Sequence, residues 1–316
     1  MTALRAISTV TRKTLWFGGY LAACLAIFWP SVRDVFHLAL SQDIYSHILL
    51  VPFITAGLML MNRHWLSPNA EGSPRAAAVL FLSGMLFFGL SWRFGFLLPS
   101  GNLMAYAILP LIFLIWAGFL FFYGAQAFHS LQFPLFFLLL AVPLPESLID
   151  VFIGWLRVGS AEVTYWLFRA TATPVFRQGF IFALPGATID IAPECSGIRS
   201  AIALLITCLL AGYLFLRTKW ARTALLVAAV PVIIIKNGIR IVTLTLLAIH
   251  VDPSFLTGKF HHQGGFIFFL IGLLILWPVL IWLQTKEAKL MNRGSPPPGS
   301  ASGGTHPTST ATVPQR

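Results

Sequence analysis

The sequence predicts an all-α, polytopic bundle of about eight transmembrane helices with a small exterior β-hairpin. Three observations lead there. Of the 316 residues, 57 % are hydrophobic and 10 % charged, with a mean hydropathy of +0.82; that leaves too little polar surface to clothe a soluble globule. Apolar runs of about 18 or more residues recur along the chain, each long enough to cross a bilayer core. The 21 Lys and Arg against 10 Asp and Glu lie mostly between those runs, a distribution that reports topology. No compact basic patch with aromatic stacking partners appears, so nucleic acid is excluded as a partner.

Taken in order, Arg5, Arg12 and Lys13 precede a first apolar run from Leu15 to about Trp29. It is read as an uncleaved helix, since the later spans need no cleaved leader. Further spans are expected at His47 to Met61, Ala76 to Leu90, Leu103 to Tyr123, and, short and proline-rich, Leu131 to Val142. Leu148 to Phe168 is amphipathic, carrying Asp150, Arg157, Glu162 and Tyr165, and reads as an interfacial helix. Phe180 to Leu184 and Thr188 to Ile191 are β-rich and flank Pro185-Gly186, a turn signal, hence the hairpin. The sixth span is Ile198 to Leu216. A seventh runs from Thr223 to about Ala248, interrupted by Lys236-Asn237-Gly238-Ile239-Arg240. The eighth runs from Gly265 to about Trp282, and the Gly/Ser/Pro/Thr-rich tail from Arg293 onward reads as disordered.

Charge sets the orientation. With both termini cytoplasmic, the inner segments hold Arg5, Arg12, Lys13, Arg63, Arg75, Arg217, Lys219, Arg222, Lys286, Lys289, Arg293 and Arg316 against Glu71 and Glu287, as the positive-inside rule demands. The hairpin, Cys195 and the loop with His261 and His262 then fall on the exterior. Arg240 follows Thr223 by 17 residues, about 26 Å of helix, close to the outer edge of a core about 30 Å thick.

That exterior level gathers the reactive residues. The three cysteines show no disulfide or zinc spacing; Cys24 and Cys208 lie inside apolar runs. Cys195 sits in the polar stretch Glu194-Cys195-Ser196-Gly197, just before a helix, where the dipole and nearby cations favour a thiolate. Arg199, four residues on, is one candidate cation. Arg240 is the other, able to donate a fork of hydrogen bonds to an oxyanion or substrate carboxylate, with Asn237 and Gly238 making its surroundings polar and close-packed. Lys236 reads equally as a functional intramembrane charge and as a snorkelling or ion-paired residue. His261 and His262 share the exterior level, and Cys–His pairing is the usual route to acyl transfer at neutral pH. Ser46 and His47 open the second span on the same face, as further polar contributors or as an interfacial cap. Glu146, Asp150 and Glu194 suit cationic substrate groups or solvation alike. Two histidines make no metal site, and nothing in the sequence requires a cofactor.

These residues carry a resemblance. Asp43-Ile44-Tyr45-Ser46-His47 with Val51-Pro52, Val142-Pro143-Leu144-Pro145-Glu146, Glu194-Cys195-Ser196-Gly197-Ile198-Arg199-Ser200, Asn237-Gly238-Ile239-Arg240-Ile241 and His261 to Gly265 occur in this order. Together they make the chain resemble the exosortase/archaeosortase family of membrane cysteine transpeptidases, from residue 40 to 285. The resemblance implies a Cys, Arg, His triad on Cys195, Arg240 and His261 (or His262), with Arg199, Ser196, Asn237, Ser46 and His47 in support. His261 with Gly265 fits the family's spacing; Glu194 stands where a small residue is commoner. It further implies a thiol protease or transpeptidase acting through a thioester. Its substrates would be exported proteins ending in a Pro-Glu-Pro-like motif, a hydrophobic helix and basic residues, in the inner membrane of Gram-negative bacteria that make exopolysaccharide. Residues 1–14 would be a cytoplasmic N-terminus, 15–285 the exosortase-like domain, and 286–316 a disordered cytoplasmic tail. Two other classes stay open from the residues alone. A solute transporter or channel would need midplane charges and paired broken helices. A membrane acyltransferase would share the thiol chemistry without needing the hairpin.

Overall fold

The computed structural model describes residues 2–62, 71–94, 100–257 and 265–293. Helices dominate it. Six helical stretches among the described residues are long and apolar enough to cross a membrane, and two sharply bent pairs raise the number to eight if each pair is one span. The expected polytopic bundle is what forms.

Helix α1 (Thr2–Ile27) bends by 74° into α2 (Trp29–Ser41). Pro30 lies in the first turn of α2 and lacks an N–H, so the helix ladder restarts there. Helix α2 has no long apolar run to mark it, because the charged Arg33 and Asp34 mask a short amphipathic stripe; Val35 and Ala39 are buried. A 3-10 turn (Asp43–Leu49) leads into α3 (Val51–Met61), followed by α4 (Pro74–Phe94) and α5 (Ser100–Ser130). Gly124 breaks α5 at φ 81°, ψ 174°, a conformation open to glycine and costly for other residues. Together α1, α2 and α5 bury an aromatic core in which Phe17, Phe119 and Tyr123 meet edge-on or tilted.

The proline-rich fifth segment is α6 (Gln132–Phe137) with a 3-10 turn (Leu138–Ala141), bent by 94° against α7 (Glu146–Ala170). Pro143 and Pro145 bracket the bend and cannot continue a helix. The stretch expected at the interface, Leu148 to Phe168, forms the body of α7. Ser160, Ala161 and Thr164 of α7 are buried, and the opposite face shows Val151, Phe152, Trp155, Val158 and Trp166 to the surroundings.

The hairpin expected on the exterior is a three-stranded antiparallel sheet, β1 (Phe176–Gln178), β2 (Ile181–Leu184) and β3 (Ala187–Asp190), in the order β1-β2-β3. Pro185-Gly186 makes the β2–β3 turn, with Gly186 at φ +89°. Strand β1 has too few apolar residues to be read from pattern. A long-range ion pair holds it, Arg177 to Glu162 of α7 at 2.8 Å. Phe182 and Leu184 face a core shared with Phe168 of α7 and Val242 of α9.

The second half is built on α9 (Lys219–His250), which touches α7, α8 (Ile198–Phe215), the short α10 (Ser254–Thr257) and α11 (Gly265–Arg293). The helix runs unbroken through Lys236-Asn237-Gly238-Ile239-Arg240, the polar residues that interrupt its apolar run. Its 32 residues span about 48 Å, longer than the apolar core, so the end beyond Arg240 continues toward the sheet. A Cβ on Gly238 would come within 2.5 Å of Val163. The missing side chain lets α7 and α9 approach closely, as small residues do between membrane helices.

Candidate active site

The chain leaves β3 through Ile191, which is buried. Arg157 of α7 anchors this exit: its Nε donates to the Ile191 carbonyl, its guanidinium pairs with Asp190 at 3.3 Å, and it lies 3.9 Å over the Phe180 ring. A 3-10 turn (Pro193–Ser196) follows, in which the Cys195 N–H donates to Ala192 O at 2.9 Å. Gly197 then takes φ 72°, ψ 20° and starts α8.

That left-handed step matters in two ways. It separates Cys195 from the helix, so Cys195 and Arg199 are not one turn apart on a common face as the sequence suggested. It also needs glycine: a Cβ there would be strained by φ and would stand 2.5 Å from Asn237 Oδ1.

Asn237 ties the turn to α9 and α7. Its Nδ2 donates to the Cys195 carbonyl at 3.0 Å and to Ser160 Oγ at 2.9 Å. One residue earlier, Lys236 Nζ contacts Ser200 Oγ, and Ser200 Oγ donates to Gly197 O at 3.0 Å. Adjacent residues of α9 thus reach both sides of the Cys195 turn.

Burial of the Cys195 thiol works against its thiolate, and Arg240, one helical turn beyond Lys236, is the cation that acts in the opposite sense. Arg199 points elsewhere, pairing with Asp43 of the first 3-10 turn at 2.6 Å, both side chains largely exposed. Ser196 is fully buried, and its hydroxyl has no hydrogen-bond partner among the described residues. Ser46 Oγ donates to Asp43 O at 2.8 Å, and His47 Nδ1 lies 3.1 Å from Ile44 O; both side chains engage their own turn. His261 and His262 lie outside the described residues.

Glu194, Gly197, Arg199, Ser200 and Arg240 line one end of a cavity of about 1010 Å3, together with Asp43, Ser46 and His47. Away from that polar end the wall is apolar: Ile202, Ala203, Ile206 and Leu210 of α8 face Val51 and Ile54 of α3, with Phe266 and Phe269 of α11. From Ile198 to Leu210 is about 18 Å along α8. A reactive end opening onto an apolar trough suits a substrate that is itself partly in the membrane.

Sequence reasoning missed Ser160, Ser200 and Asp43 as site residues. Ser160 had one signal, its place between Gly159 and Ala161 on a face of small residues. Asp43 and Ser200 stand in stretches that carry the resemblance, but nothing local shows the partner of Asp43, which is 156 residues away.

In comparison with known proteins, the model of transmembrane exosortases (Exosortase_EpsH) matches residues 39–278. No curated protein and no solved structure matches the chain.

Proposed function

The chain belongs to the transmembrane exosortase family, and from that premise we propose that it cleaves a C-terminal sorting signal of exported proteins through an acyl-thioester on Cys195. The family places it among multi-pass membrane proteins of the protease or transpeptidase type, with exported proteins bearing sorting signals as substrates. The finer reading rests chiefly on one observation: Arg240, which acts electrostatically on the Cys195 thiol, lines the polar end of a cavity with Glu194 and Gly197 from either side of Cys195, and the remaining wall is apolar.

In this reading the hydrophobic helix of the substrate lies in the trough between α3 and α8, and the peptide bond N-terminal to it reaches the polar end. His261 or His262 takes the Cys195 proton. The thiolate attacks the scissile carbonyl, and Arg240 donates hydrogen bonds to the oxyanion, a role that suits a guanidinium better than proton transfer does. The C–N bond breaks, and the leaving amine takes the proton back from the histidine. The acyl chain remains on sulfur until a second nucleophile releases it.

Replacing cysteines one at a time tests this. Cys195→Ala should leave a tailed substrate uncut at normal enzyme abundance, while Cys24→Ala and Cys208→Ala, at buried positions within the bundle, should cut it normally. Cys195→Ser, with its poorer nucleophile, should hold substrate without releasing product. Processing by Cys195→Ala at the wild-type rate would exclude the thioester route.

A further inference from the structure

Lys236 is the least expected charged side chain of the molecule. It is 1 % exposed, and Gly272 of α11 leaves room for it, since a Cβ there would stand 3.3 Å from Lys236 Cδ. Among the described residues no carboxylate pairs with it, and Arg240 follows one helical turn later on the same helix. An ammonium at this place would be buried without a counter-ion and beside another cation. A lysine amine, unlike a guanidinium, can give up its proton and take it back.

Its one described polar contact is Ser200 Oγ. Ser200 in turn lines the cavity beside Arg240 and Gly197. At rest its hydroxyl donates to Gly197 O at 3.0 Å; rotation about Cβ–Oγ turns the same proton toward the amine. A hydroxyl that faces the cavity in front and a buried amine behind is the arrangement of a base reaching substrate through an intermediate oxygen.

We propose that Ser200 and Lys236 form a proton relay for the second half of the reaction, release of the acyl chain from Cys195. The proposal rests on the thioester reading above. The acceptor, water or a primary amine, attacks the thioester carbonyl. Its proton passes to Ser200 Oγ as the Ser200 proton passes to the Lys236 amine. The C–S bond breaks, and sulfur leaves with the electron pair as the Cys195 thiolate. Lys236, now an ammonium, returns its proton through Ser200 to water at the cavity mouth before the next cycle. Ser200 touches the acceptor; Lys236 acts through it.

The test separates the two halves using 4-nitrophenyl acetate on the full-length protein in detergent micelles. Cys195 is partly exposed, so acylation should appear as a stoichiometric burst of 4-nitrophenolate that Cys195→Ala lacks, followed by steady turnover set by release. In Lys236→Met and in Ser200→Ala the burst should persist while steady turnover falls at least about a hundredfold, the lower end for a general base. Lys236→Arg keeps length and a donor but accepts no proton, so it should be as slow as Lys236→Met. Wild-type turnover in Lys236→Arg would show that the side chain merely holds Ser200 and would overturn the relay. So would undiminished turnover in Ser200→Ala, which also decides the matter if Lys236→Met fails to accumulate. A wild type with no burst beyond that of Cys195→Ala would instead remove the thioester reading, and the relay with it.

Discussion

Asn237 and Gly197 show how much one residue can decide at this site. The amide of Asn237 holds the Cys195 carbonyl from one side and Ser160 from the other, and the absent side chain of Gly197 makes room for it. The cations divide in the same concrete way. Arg199 is spent on Asp43 in an exposed pair, a kind worth about 0–1 kcal/mol, whereas Arg240 lines the cavity and acts on the thiol. Arg240→Lys should therefore abolish processing of a tailed substrate while the protein still accumulates in the membrane, because an ammonium cannot reproduce the planar fork. Arg199→Lys should keep measurable processing, since a lysine can still pair with Asp43. The reverse ranking of the two variants would assign the cation to Arg199.

Among elements, α9 is the one every part of the site is hung on, and its start is secured from a distance. The cap residue Thr218 makes no side-chain cap bond of its own. Glu287 of α11 supplies the acceptors instead, taking the Arg217 N–H at 3.0 Å and also the Thr218 N–H. Its carboxylate sits at a helix N-terminus, where backbone N–H groups lack partners and the dipole favours negative charge. Glu287→Ala should destabilise the purified protein by about 1 kcal/mol, the typical cost of taking the cap acceptor from the first N–H groups of a helix. Glu287→Gln, which keeps one acceptor oxygen, should lose less. Thermal unfolding in detergent measures both, and equal melting temperatures for Glu287→Ala and wild type would refute the capping role.

For the whole molecule, the proposed orientation carries the functional reading, because a site acting on exported proteins must face outward. The basic segment Arg217 to Arg222 lies between α8 and α9, at the end of each opposite to Cys195 and Arg240. Positive loops stay on the cytoplasmic side, so the sheet and Cys195 belong outside. Reporter fusions at Trp220 and in the tail after Arg293 should read cytoplasmic, and a fusion in the turn at Gly186 should read exterior. A cytoplasmic signal at Gly186 would part Cys195 from any exported substrate and end the proposal.

The sequence by itself determined the membrane class, most of the helices, the turn at Pro185-Gly186 and the singling out of Cys195 and Arg240. These follow from local properties: apolar length, the rigidity of proline, the freedom of glycine, and charge placed where lipid makes charge expensive. Tertiary structure decided the rest. Helix α2 and strand β1 carry weak local patterns and are held by packing and by the Arg177–Glu162 pair. The close approach of α7 to α9 at Gly238 could not be read locally, because nothing in the sequence shows that Val163 packs against that glycine. The links that shape the site join residues 36, 42, 77 and 156 positions apart, in Lys236–Ser200, Asn237–Cys195, Asn237–Ser160 and Arg199–Asp43. No periodicity encodes such pairs. They exist because a polar side chain inside a bundle must find a partner on whichever helix packing brings beside it.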